Sequence, residues 1–150
     1  MKSCSPVVFR CWVCFVEFRP PLPVVAAVIA DGSGRVLIAQ RPTHKHLALK
    51  WEFPGGKIEA NEAPATALAR ELREELGVEI EILRTLPAFT HDYGSIVIAM
   101  LPFLCGLAPG SAAPSAHEHV ALRWVSVAEL ATFDLAAADL PIVAALRATP

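Results

Sequence analysis

Three glutamates, Glu71, Glu74 and Glu75, stand at i, i+3 and i+4, with Arg70 and Arg73 beside them. On a helix that turns about 100° per residue these carboxylates share an arc of roughly 100°. Like charges at this spacing repel by about a few tenths of a kcal/mol per pair. A hard divalent cation reverses the sign of that repulsion, and carboxylate oxygens at this density suit Mg²⁺ or Mn²⁺. On its own, a glutamate-rich helix face is more often a solvated face whose arginines form surface pairs of little energy. The segment in front of the helix changes that balance. In Pro54-Gly55-Gly56-Lys57-Ile58-Glu59 two adjacent glycines let backbone groups approach an ion or a phosphate closely.

The elements that must hold these groups can be read from period and punctuation. Ala65, Leu68, Leu72 and Leu76 form an apolar stripe beside the glutamates. The expected helix starts at Asn61 as N-cap, with Glu62 near the positive end of the dipole and Pro64 in the first turn, and it stops at Gly77. Upstream, Val24 to Ala30 is a β-branched apolar run, Asp31-Gly32-Ser33-Gly34 is a turn, and Arg35 to Gln40 returns, so the three read as a hairpin. A polar loop, Arg41 to Lys50, leads to Trp51 to Ile58. Downstream, Val78 to Leu86, Ile96 to Leu101 and Ala121 to Val127 read as strands. Val127 to Thr132 reads as a short helix, and Pro141 opens a last one through Arg147. Strands alternating with two substantial helices indicate an α/β or α+β domain.

Together, residues 56 to 78, GKIEANEAPATALARELREELGV, resemble the Nudix box. Gly56, Glu62, Arg70, Glu71, Leu72, Glu74, Glu75, Gly77 and Val78 occupy every specified position of that motif. A chance match at a given start is on the order of 10⁻⁹ from average residue usage, so the combined pattern outweighs the solvated-face reading. The likeness extends from about Val24 to Arg147 and is greatest to the MutT-like branch: Gln40-Arg41, His46, Trp51-Glu52-Phe53-Pro54-Gly55-Gly56-Lys57, then His117-Glu118-His119, Trp124-Val125-Ser126 and the segment Leu135 to Pro141.

The resemblance implies an α/β/α sandwich with a mixed β-sheet between helices. It implies that the Gly55 carbonyl, Glu71, Glu74, Glu75 and Glu118 hold the metal, with Glu118 as a further ligand or base. It also implies that Arg70 orients the glutamates and Glu62 braces the loop–helix junction. Arg41 and His46 would contact phosphate and sugar, Glu52, Phe53, Pro54 and Gly55 would line the base and sugar side, and Asp139 would read the base edge. The implied activity is Mg²⁺-dependent hydrolysis of a nucleoside triphosphate such as 8-oxo-dGTP to the monophosphate and pyrophosphate. Members of the branch that act on 8-oxo-dGTP often carry Asn where this chain has Asp139. An ionised Asp offers acceptors only, which suits guanine N1–H and the amino group of cytosine alike, so a CTP or modified-dCTP pyrophosphohydrolase is the alternative. A capping role for Asp139 ahead of Pro141 is the simpler explanation of that residue. A non-catalytic nucleotide sensor of the same fold would be expected to lose box glutamates, and this chain keeps them. Tyr93, near where dinucleoside polyphosphate hydrolases place a tyrosine, is otherwise a packing residue.

The remaining composition bounds partners. The chain has 150 residues, 54% of them hydrophobic, and a net charge of −2. That is one domain with a sizeable core and no basic stripe for a nucleic-acid polymer. The uncharged stretch from Gly94 to Ala116 is broken by Pro102, Gly106, Pro109, Gly110 and Pro114, and reads as a buried strand followed by a loop, not a membrane span. Residues 1 to 22 form an N-terminal arm, a variable or disordered extension before a domain over 23 to 150; Arg10, Glu17 and Arg19 and the lack of a small-residue cleavage site argue against a signal peptide. Within the arm, Cys11-Trp-Val-Cys14 has metal or redox spacing, but a zinc site would need a second ligand pair. His91, His117 and His119 read as substrate-side or surface groups. A cytoplasmic monomer or homodimer acting on a free nucleotide, away from membranes, is the expectation.

Overall fold

The computed structural model describes residues 18–149; Cys4, Cys11, Trp12 and Cys14 lie outside them. Strand β1 (Leu22–Ala30) begins at the last residue of the expected arm and runs parallel to β7 (Val97–Leu107), in register from Leu22 opposite Ile98 to Ala30 opposite Gly106. Around this pair an eight-stranded mixed sheet is built from β2 (Arg35–Gln40), β3 (Trp51–Glu52), β4 (Gly55–Lys57), β5 (Ile80–Thr85), β6 (Phe89–Asp92) and β8 (Ala121–Ser126). Side-chain alternation along β1 divides the core in two. Val25, Ala27 and Ile29 face helix α1 (Pro64–Leu76), while Ala26 and Val28 face Leu130, Leu135, Ile142 and Val143 on the opposite side. That opposite layer consists of two 3₁₀ turns (Ala128–Thr132 and Ala137–Asp139) and helix α2 (Leu140–Ala148). The architecture is the α/β/α sandwich expected. Among the described residues no helix is long and apolar enough to cross a membrane.

Several local expectations need correction. The hairpin turn forms, with Asp31 N–H donating to the Arg35 carbonyl at 3.1 Å. Beyond it the strands part: the only β1–β2 register pair is Ala30 with Val36, and β2 instead pairs with β8 along its length. The space beside the first half of β1 is taken by β4, with Ala26 opposite Gly55 and Val25 opposite Gly56. This divergence brings the glycine-rich loop onto the sheet. The stretch after Leu101 is strand, not loop. Pro102 is accommodated because the outer partner of β7 changes there, from β6 at Met100 to β5 at Phe103, so no outward N–H is required.

Helix α1 is capped by Ala63 rather than Asn61. Asn61 has a left-handed backbone (φ 61°) and sits in a turn closed by the Glu62 N–H donating to the Glu59 carbonyl at 3.1 Å. The helix buries Ala67, Leu68, Leu72 and Leu76, while Ala65 is exposed. Full burial of each leucine contributes roughly 1.5–3 kcal/mol. Gly77 ends the helix at φ 67°, its N–H returning to the Arg73 carbonyl.

Candidate active site

A cleft of about 880 Å³ opens where β4, the end of α1, the 115–120 loop and the 136–139 turn meet. Arg41, His46, Glu52, Phe53, Gly55, Arg70, Glu71, Glu74, Glu75, Glu118 and Asp139 all line it. Pro54 does not, contrary to expectation: its side chain is fully buried and its carbonyl accepts the Ala27 N–H at 2.8 Å, so it anchors the loop to β1.

At the acidic end, Arg70 is the organiser. Its Nε and Nη2 donate to the two Glu62 oxygens at 2.8 and 2.9 Å, its Nη1 reaches Glu71 at 3.0 Å and Glu74 at 3.5 Å, and Nη2 also reaches the Lys57 carbonyl at 3.1 Å. The Arg70 hydrogen bonds hold Glu62 down at about 2, and the same contacts raise the Arg70 pKa. Glu62 therefore acts on the loop–helix junction through both Arg70 and the Glu59 N–H it accepts at 3.1 Å. Glu71 is raised from the ordinary carboxylate range by burial despite Arg70.

Glu75 behaves differently. It is only 8% exposed, Oε2 has no hydrogen-bond partner, and burial, reinforced by the charges of Glu52, Glu71 and Glu118, pushes it up to about 8. A buried carboxylate oxygen without a donor is costly unless something positive reaches it. The two adjacent glycines are packed closely on either side. A Cβ on Gly56 would stand 2.3 Å from Cδ of Glu71, and one on Gly55 would stand 2.0 Å from the Val25 carbonyl oxygen. Among the described residues no three acidic, histidine or cysteine side chains already converge as a ready-made ligand set; Arg70 holds Glu71 and Glu74 instead. The all-oxygen donors, the orphaned Glu75 oxygen and the missing Cβ beside Glu71 fit a hard divalent cation.

Loop 115–120 is tied to the end of α1. Ser115 N–H donates to Leu76 O at 3.0 Å and His117 N–H to Glu75 O at 3.1 Å. His117 Nδ1 lies 3.1 Å from Glu74 O and Nε2 lies 2.9 Å from Ser115 Oγ. Since a carbonyl can only accept, the ring carries its proton on Nδ1 and caps the helix C-terminus. His117 is thus a positioning group and not a substrate contact. The loop presents Glu118, half-exposed, with Lys45 Nζ 3.5 Å away. His119 points inward, its side chain 4% exposed, and meets Glu52 Oε1 at 3.0 Å. The other Glu52 oxygen accepts from Arg41 Nη1 at 2.7 Å, and Arg41 Nε donates to the His46 carbonyl at 2.7 Å. Neither Glu52 nor Arg41 is free; each is part of a half-buried joint between the two ends of the cleft.

The other end is apolar. Leu22, Val24, Ile98 and Met100 form a floor from the parallel β1–β7 pair, with Phe53, Ile96 and Ala138 around it. Asp139 closes this end, 3% exposed. Its Oδ2 accepts the Phe53 N–H at 3.0 Å, and burial holds its carboxyl well above the ordinary range. The side chain makes no cap to α2, so the capping explanation fails. Lys45 and Tyr93 also line the cleft. Tyr93 had only the position after His91 to mark it, and the apolar floor had no local signal beyond strand alternation.

Comparison with known proteins points to one family. A NUDIX domain model matches residues 20–146. The CTP pyrophosphohydrolase of Escherichia coli (strain K12) is 39% identical over 127 residues, 85% of this chain and 92% of that protein. The 8-oxo-dGTP diphosphatase of Proteus vulgaris is 45% identical over 86 residues, 57% of this chain and 77% of that protein. The solution structure of the E. coli ORF135 protein superposes with a TM-score of 0.74 at 37% identity, covering 87% of this chain and 91% of that one. The chain belongs to the Nudix family and is a hydrolase of it, in a family that works with a divalent metal.

Proposed function

We propose that the chain is a Mg²⁺-dependent pyrophosphohydrolase of free nucleoside triphosphates, with oxidised nucleotides such as 8-oxo-dGTP as its substrates and nucleotide-pool sanitation in the cytoplasm as its role. It would act as a monomer or homodimer on a small molecule, not on a nucleic-acid polymer. The observation that carries this reading is a single cleft with an acidic, ion-accepting end and an apolar end closed by a buried Asp139. Such a cleft separates the two tasks of the reaction, handling a polyphosphate and choosing a base.

In this reading Glu71, Glu74, Glu75, Glu118 and the Gly55 carbonyl hold the metal. When bound, it neutralises the polyphosphate and eases deprotonation of the attacking water. Arg70 fixes the glutamates from behind through Glu62. Glu118, on its loop, is a further ligand or takes the water's proton. Arg41 and His46 stand on the phosphate and sugar side, and Glu52, Phe53 and Gly55 on the base and sugar side. In-line displacement at phosphorus requires positioning and charge stabilisation, so no nucleophilic Ser or Cys is needed. Asp139 reads the base.

A second reading, a CTP or modified-dCTP pyrophosphohydrolase, is favoured by the acid at position 139 and by the likeness to the E. coli CTP enzyme. Both are tested by pyrophosphate release from 8-oxo-dGTP, dGTP, CTP and 5-substituted dCTP with Mg²⁺. An oxidised purine that stands out, with turnover abolished in Glu75→Gln, supports the first reading; a cytosine nucleotide that stands out supports the second. No release from any of them, with Mg²⁺ or Mn²⁺, sinks both and leaves a binding role.

A further inference from the structure

Tyr93 is the one tyrosine in the chain. It follows β6, and its N–H donates to the Ile96 carbonyl at 2.9 Å, closing a tight turn. Its ring is half-buried, lines the cleft, and is steadied by edge contacts with His91 and His46 at 4.4 and 5.8 Å between centroids. Its hydroxyl oxygen accepts the Ala138 N–H at 3.0 Å. That amide opens the 3₁₀ turn carrying Asp139, where N–H groups lack an internal partner. Without Tyr93, the buried amide one residue before Asp139 would be unsatisfied.

A phenol has one proton and two lone pairs. One lone pair holds the turn. Among the described residues no acceptor takes the hydroxyl proton, and none supplies a partner to Asp139 Oδ1, whose Oδ2 is committed to Phe53. Both side chains line the cleft, so an uncommitted phenol proton and an uncommitted Asp139 oxygen face the same apolar end.

We infer that Tyr93 is a specificity-determining residue: its O–H donates to an acceptor atom of the nucleobase while the same oxygen fixes the turn that aims Asp139 at the neighbouring donor. The pair reads a base edge on which a hydrogen-bond donor lies beside an acceptor. The inference rests on the nucleotide reading above.

The single tyrosine makes the test direct. Protein labelled at tyrosine gives one ring signal, observed during titration with 8-oxo-dGMP, CMP and, as a base-free probe, inorganic tripolyphosphate. The expected result is a shift with whichever monophosphate binds more tightly and none with tripolyphosphate. Calorimetry on Tyr93→Phe should then show about tenfold weaker binding of that monophosphate, with tripolyphosphate affinity within about twofold. A melting curve of Tyr93→Phe checks that the variant folds; should it not, the labelled wild type alone decides. If a monophosphate binds but the tyrosine signal stays put, or if Tyr93→Phe loses both ligands equally, the inference is overturned while the nucleotide reading stands. If neither monophosphate binds the wild type, the nucleotide reading falls and takes this one with it.

Discussion

The acidic end of the cleft is assembled mostly from residues close in sequence, whereas the apolar end draws on segments far apart. Glu62, Arg70, Glu71, Glu74 and Glu75 sit within one loop and one helix, and the 115–119 loop is hydrogen-bonded onto that helix's last carbonyls. At the other end, Leu22 and Val24 come from β1, Ile98 and Met100 from β7, and Phe53, Tyr93 and Asp139 from three further segments. The forces differ too. Arg70 satisfies the acidic end by ion pairing, except for the Glu75 oxygen, while burial and single backbone hydrogen bonds set the apolar end. On the proposed function, chemistry that needs a fixed charge array falls on a helix, and base choice falls where several elements can vary independently.

Removing the orphaned carboxylate should break this division most sharply. Glu75→Gln is expected to lower turnover by on the order of 10³-fold, about 4 kcal/mol of barrier, while leaving nucleotide KM nearly unchanged because the apolar end is untouched. Steady-state kinetics checks both. The same variant has a stability signature. Burial pushes Glu75 up to about 8 in the fold, against 4.5 in the unfolded chain. The folded state therefore keeps a proton that the unfolded state has released. Metal-free wild type loses stability as pH rises from about 4.5 to about 8. Melting temperatures of Glu75→Gln should fall less across that window, with a residual slope from Asp139 and Glu71, which shift in the same direction. Equal slopes would mean Glu75 is not the strained group.

The paired glycines sharpen the contrast within four atoms of backbone. Gly55→Ala drives a Cβ into the β1 backbone at Val25, which cannot retreat, and should cost about 3 kcal/mol or more of folding stability. Gly56→Ala meets only the end of the Glu71 side chain, which can swing away. Its stability should be close to wild type, and its divalent-metal affinity, measured by calorimetry, should fall about tenfold. Were both variants to lose stability alike, the missing Cβ at Gly56 would have no ligand role.

How much of this was legible beforehand follows the same division. The acidic end was readable because spacing on one helix fixes which side chains meet. The network through Arg70 adds its bond to the Lys57 carbonyl and its partition among Glu62, Glu71 and Glu74. At the apolar end only Phe53 and Asp139 were legible, through the family resemblance; the contact of Tyr93 with Ala138 across 45 residues, and that of Glu52 with His119 across 67 at the joint between the ends, were not, since no local period encodes them. Pro54 belongs to the motif, but its carbonyl bond to Ala27 seats its ring in the interior, away from the cleft. Strand β6, Phe-Thr-His-Asp, alternates half-buried and exposed positions but carries one apolar residue in four, too few to give a hydrophobic period in the sequence. Asn61 does not cap because the turn that Glu59 and Glu62 close holds it left-handed, which cap preference does not encode.

At the apolar end, Asp139→Ala should narrow the ratio of kcat/KM between the preferred and other triphosphates by about tenfold or more, roughly 1–3 kcal/mol, with tripolyphosphate affinity unchanged. A uniform loss across all nucleotides would instead make Asp139 a support for Phe53 alone. The smallest effect tests the link between loop and helix. His117→Ala removes the Nδ1–H donor to the Glu74 carbonyl and frees Ser115. It should cost about 1 kcal/mol of stability, a typical value for a helix C-terminal cap of this kind. It should also weaken divalent-metal binding about threefold or less, because the 115–119 backbone bonds to Leu76 and Glu75 remain to hold Glu118 near its place. His117→Asn, which can still donate to the carbonyl, should recover most of the stability. If the alanine variant instead lost metal binding as fully as Glu75→Gln loses turnover, the loop would depend on the histidine rather than on its own backbone, and Glu118 would belong to a separately ordered unit instead of to the helix end.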